Sequence, residues 1–108
     1  MSYYIYLEAK IQDVDKWIEM GDGLSVTYNL RDMFVKSVGS SPKDWNGMIA
    51  RDLEPKLRKA IMDINSKPLF YRQFEAENGW GTIKNCLNFM RELSENCAEY
   101  PYATVREE

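Results

Sequence analysis

Apolar and polar residues alternate from Tyr3 to Ala9. Tyr3, Ile5, Leu7 and Ala9 fall on one side and Tyr4, Tyr6 and Glu8 on the other. A period of two with this aromatic content predicts a half-buried strand. Leu24 to Tyr28 alternates in the same way and predicts a second, with Gly21-Asp22-Gly23 as a turn before it. Residues 16–20 allow two readings. Val14, Trp17 and Ile18 have helical spacing, but Trp17 and Ile18 beside the glycines also suit a hairpin strand, which is the preferred reading.

Further on the period lengthens. Asn29 is expected to cap a short helix with Leu30, Phe34 and Val38 on one face, and Gly39 is its natural stop. Ser41-Pro42, with Asp44 three residues after the serine, marks another helical start, and Trp45, Met48 and Ile49 form its buried side. Pro55 belongs in a first helical turn, so the next helix is expected from about 53 to 65, its stripe being Leu53, Leu57, Ala60, Ile61 and Ile64. The clearest pattern spans Thr82 to Glu99. There Ile83, Cys86, Leu87, Met90, Leu93 and Cys97 recur at steps of three and four, Thr82 is the expected cap, and Pro101 lies beyond the end. Residues 102–105 offer a short last strand. The pattern predicts one α+β domain over residues 1–108: a small antiparallel sheet of about three strands packed against three to four helices, the longest C-terminal.

Composition adds limits. The 108 residues suit one domain, and 44% hydrophobic residues with fourteen aromatics supply an ordinary core. No apolar run approaches a membrane span and no basic region precedes an apolar stretch, so a cytoplasmic protein is expected. Cys86 and Cys97, on one helix, would lie ~16 Å apart, too far for a disulfide. Both are expected as reduced, buried thiols, which agrees with a cytoplasmic setting.

The chemistry is mostly excluded. Histidine is absent, which removes the commonest general base and metal ligand. Two separated cysteines do not complete a zinc site. No phosphate-cradling glycine loop follows a strand, although backbone amides at the Asn78-Gly79-Trp80-Gly81 turn ahead of the last helix could hold an anion. Asp13, Asp15 and Glu19 invite a Ca²⁺ or Mg²⁺ reading, but Trp17 occupies a ligand position of a calcium loop. No metal, cofactor or catalytic residue is assigned, and an enzyme is not expected.

Charge is uneven. Residues 1–54 hold six basic and nine acidic side chains, residues 55–108 eight of each, for a net charge of −3. Such a balance disfavours direct nucleic-acid binding. Most of the aromatics are expected in the core, but fourteen are many for so small a domain, and exposed tyrosines favour protein contacts. Tyr4, Tyr6 and Tyr71, with Asp13, Asp15, Glu19 and Asp22, are therefore the candidate partner-binding residues.

Val26-Thr27-Tyr28-Asn29, the Pro55-Lys56-Leu57 step and Asn78-Gly79-Trp80-Gly81, with a proline some twenty residues later at Pro101, resemble a group of small proteins of phages, prophages and other mobile elements. The resemblance covers roughly residues 24–106 and implies a bacterial or phage setting, without an activity. The expectation is a non-catalytic interaction protein that binds a protein partner, one concrete form being inhibition of a host defence nuclease in the manner of small anti-CRISPR proteins. The partner would then be a basic nucleic-acid enzyme, and a homodimer is compatible with the same reading. The alternatives are a carboxylate-dependent metal hydrolase or nuclease, and a small anion- or ligand-binding module.

Overall fold

The computed structural model describes residues 1–76, 79 and 81–108. Strand β1 (Ser2–Lys10) is central in an antiparallel sheet of order β2-β1-β3, with β2 at Trp17–Thr27 and β3 at Thr104–Glu107. Tyr3, Ile5 and Leu7 are buried, as their alternation requires, and Val105 joins them from β3. The fold is α+β, with the sheet on one side and the helices packed on its inner face.

The Gly21-Asp22-Gly23 run is a bulge and not a turn. Trp17–Thr27 is one strand of eleven residues, so the expected hairpin between residues 16–20 and 24–28 is replaced by a β1–β2 hairpin that turns over residues 11–16. Ile5 pairs with Leu24 and Leu7 with Met20, so three residues of β2 lie opposite Tyr6 alone. Extra residues of this kind bend and twist a strand, and the glycines make that bend sterically open. Gly21 sits at φ +71° against the Tyr100 ring. A Cβ on Gly23 would overlap the Tyr4 hydroxyl.

A 3-10 turn at Tyr28–Leu30 leads into α1 (Arg31–Val38). Its cap is Thr27, whose hydroxyl accepts from the Asn29 amide at 3.2 Å, and not Asn29. Gly39 ends α1 in the left-handed conformation, as expected. A second 3-10 turn, Pro42–Trp45, is fixed by Asp44, whose carboxylate accepts from the Ser41 amide at 3.0 Å.

Helix α2 (Ala50–Ser66) starts three residues before the expected position, which puts Pro55 in its second turn. The reason is tertiary. The Ala50 and Arg51 amides donate to the carbonyls of Ala103 (2.8 Å) and Pro101 (3.0 Å), so the first orphan donors of the helix are satisfied by the chain entering β3. Residues 47–49 also line the outer edge of β3, with Gly47 donating to Val105 and Val105 to Met48. That covers one sheet edge and leaves β2 as the other. Helix α3 (Pro68–Tyr71) and a following 3-10 turn lead to α4 (Ile83–Glu99), which equals α2 at seventeen residues.

Helix α4 buries Cys86, Leu87, Met90, Leu93 and Cys97 as its period predicts, together with Phe89 from the flank of the stripe. Thr82 is its cap, accepting from the Asn85 amide at 3.1 Å. Thr82→Ala should cost about 1 kcal/mol in urea melts. A loss under a few tenths would mean that the cap contributes nothing to stability.

Candidate interaction surface

Residues paired directly across an antiparallel ladder share a face. Tyr4, Glu8 and Lys10 pair with Ser25, Glu19 and Trp17 of β2, and Tyr6 with Arg106 of β3, so all of these side chains stand on the outer face of the sheet. Among the described residues no helix lies over this face; the helical contacts to the sheet come from α4 and the Pro42–Trp45 turn on the other side. The face is organised. The Arg106 guanidinium donates to Glu8 at 2.6 Å and stacks 5.1 Å from the centre of the Trp17 ring. The Tyr4 and Tyr6 rings lie 5.7 Å apart, and the Tyr6 hydroxyl donates to Glu108 at 3.1 Å. Partial burial, then the Glu108 carboxylate, raises the Tyr6 pKa, so this hydroxyl stays a donor at neutral pH.

At the end of this face the hairpin carries the expected acids. Asp13 and Asp15 lie in the exposed 11–16 loop, Glu19 on β2 and Asp22 in the bulge. Asp15 contacts Lys10 at 3.4 Å, an exposed pair of little energetic weight. Asp13 sits at φ +64°, which aspartate tolerates better than most residues. Val14, Trp17 and Ile18, the residues with helical spacing, are about half exposed on the same hairpin. Among the described residues no three His, Cys, Asp or Glu side chains are brought together as a metal would require.

One expectation needs correction. Tyr71 is 1% exposed and belongs to the core; its hydroxyl donates to the Asp63 carboxylate, eight residues back on α2. That bond is the main reason the Asp63 pKa is lowered, and burial followed by the same bond raises that of Tyr71. Leu69 and Phe70 carry the exposed apolar surface there instead. The glycine turn is described only in part. Asn78 and Trp80 lie outside the described residues, while Gly81 is buried against Asn29. The start of α4 is answered from within the chain: the Ile83 amide donates to the Glu75 carboxylate at 2.8 Å and that of Asn85 to Thr82. Glu75 takes the place an external anion would occupy.

Trp17 and Arg106 are the members of the outer face that motif reading missed. The signal for Trp17 was its period-two relation to Glu19; Arg106 needs the β1–β3 register, which no local pattern carries.

Both cysteines are buried, and burial pushes each thiol up to about 12. A thiol whose folded pKa is raised leaves stability unaffected below its unfolded value near 8.5 and removes it as pH rises from there towards 12. Native thiols should react slowly with a disulfide reagent at pH 8 and two should titrate on denaturation. Substitution of both by Ala should remove the part of the alkaline loss that begins near pH 8.5 and leave the later part, which comes from buried tyrosines such as Tyr71. Two prompt native thiols would contradict the burial.

No family model matches the chain, and no curated protein or solved structure matches it. No helix among the described residues is long and apolar enough to cross a membrane.

Proposed function

We propose that this chain is a non-catalytic interaction protein of phage or mobile-element type, which acts in the bacterial cytoplasm by binding a basic protein partner. One observation carries the reading: the outer sheet face sets Tyr4, Tyr6 and Trp17 beside an acidic hairpin, and no described element covers it. Large aromatics that are already ordered contribute contact area at small entropic cost, and the acids steer a basic surface towards them. A host nuclease that acts on nucleic acid is the kind of partner such a face suits, since its own substrate channel is basic. Occupying that channel would inhibit it.

The test is capture from bacterial lysate on immobilised wild-type protein and on a Tyr6→Ala/Trp17→Ala variant, with the bound proteins identified. A basic protein held by the wild type and lost by the variant is the expected result. The same proteins on both columns would remove the outer face from the reading.

A further inference from the structure

Beside β2, on the edge opposite β3, lies an open groove of about 470 Å³. One wall is the strand edge at Leu24, Ser25 and Thr27; the other is the first half of α4, with Asn85, Asn88 and Glu92. Phe89, nearly buried, lies between the walls. The groove is bounded at one end where α4 closes on the bulge, the Asn96 amide reaching the Asp22 carbonyl at 3.4 Å and Tyr100 packing on Gly21. At the other end β2 turns into the 3-10 segment at Tyr28.

The main chain along this stretch faces the groove. Tyr4 exchanges both of its backbone bonds with Glu108, donating at 3.4 Å and accepting at 2.9 Å, so it has nothing to offer β2. Its ladder partner Ser25 is therefore a non-bonded pair, and directs its own N–H and C=O away from the sheet. Thr27, two residues on, points its N–H the same way. No described element pairs with this edge. Glu92 stands over it with no cation within ion-pair distance among the described residues.

We propose that the β2–α4 groove binds a short extended peptide segment of a partner protein, which adds a fourth strand beside Ser25–Thr27 and places a Lys or Arg side chain against Glu92. Main-chain bonds to Ser25 and Thr27 fix the register, and Asn85, Asn88 and Glu92 read alternate side chains. A second copy of this chain is the wrong occupant, because two-fold pairing along the same edge would bring two Glu92 carboxylates into one groove. This site is separate from the outer face and stands or falls independently of the function proposed for it.

The test uses a blocked hexapeptide, Thr-Lys-Val-Lys-Val-Thr, titrated into labelled protein and followed by amide NMR. Three controls accompany it: the peptide with Glu for Lys, the peptide with alternate backbone amides N-methylated, and the Ser25→Pro and Glu92→Gln variants. Pro is compatible with Ser25 because the amide it removes makes no bond within the sheet. Saturable shifts centred on Ser25, Thr27 and Asn88 at up to ~1 mM peptide are expected. Glu92→Gln should weaken binding about tenfold, the value of one charge-assisted contact. Methylation and Ser25→Pro should each abolish most of it, and the Glu peptide should not bind. Equal binding of the methylated peptide, or shifts confined to Tyr4, Tyr6 and Trp17, would overturn the proposal. So would no shift at all in the wild type, or concentration-dependent shifts at Ser25 without peptide, which would assign the edge to a second copy.

Discussion

Trp45→Ala is expected to destabilise the protein by about 3–5 kcal/mol, the usual cost of removing a fully enclosed indole. Trp45 is completely buried, and its ring meets Phe34 of α1 edge-on at 5.6 Å. Phe34 in turn meets Phe89 of α4 at 5.6 Å. This chain of rings ties the Pro42–Trp45 turn, α1 and α4 into one core, so the truncation leaves a cavity that no single element can close. The indole N–H also donates to Ser40 at 2.9 Å. Trp45→Phe should keep most of the packing and lose about 1 kcal/mol for that bond. Urea melts separate the two variants. A Trp45→Ala loss below about 1 kcal/mol would mean that the indole is not enclosed as described.

Met90→Ala should cost about 2–5 kcal/mol. Met90 is fully buried at the middle of α4, the helix that packs most extensively on α2. Asn88, two residues earlier, is exposed, so Asn88→Ala should stay within about 0.5 kcal/mol. The pair tests the rotational register of α4, which also decides what faces the β2 groove. Similar losses at the two positions would require the helix to be turned about its axis.

Much of this fold was legible because local signals and tertiary contacts agree. The alternation of Tyr3, Ile5 and Leu7 places them in the core, and the three- and four-residue steps of α4 place Cys86, Met90, Leu93 and Cys97 there. Thr82 and Gly39 act as cap and stop because each role depends on its own side chain or its own φ. The misreadings share a different cause. Gly-Asp-Gly serves a turn and a bulge equally well, since both need glycine at positive φ; the choice is made by pairing with β1, up to twenty residues earlier in the chain. Pro55 marks a first turn only when nothing earlier satisfies the helix start, and here the carbonyls of Pro101 and Ala103 do so.

The candidate site divided along the same line. Tyr4 and Tyr6 were placed by alternation and do stand on the outer face, whereas Tyr71 is drawn into the core by Asp63, a contact across the turn into α3. Charge segregation also depends on the fold. Residues 31–72, which hold α1 to α3, carry nine basic and five acidic side chains, against two and five in residues 1–30 and three and seven in residues 73–108. A net charge of −3 therefore conceals an acidic sheet and C-terminal region opposed to a basic helical segment. The acidic hairpin is the part that adjoins the uncovered aromatics.

If the acidic, aromatic face recognises a basic partner, its charges set the association rate, which binding kinetics measure. The captured partner is bound to immobilised wild-type protein and to an Asp13→Asn/Asp15→Asn/Glu19→Gln variant over a range of ionic strength. Exposed charges are screened beyond about 10 Å at 0.1 M salt, so steering by the hairpin should fade as salt rises. Association should slow steeply with salt in the wild type and be already slow and nearly salt-independent in the variant, with dissociation largely unchanged. Association that ignores both salt and the triple neutralisation would contradict such recognition.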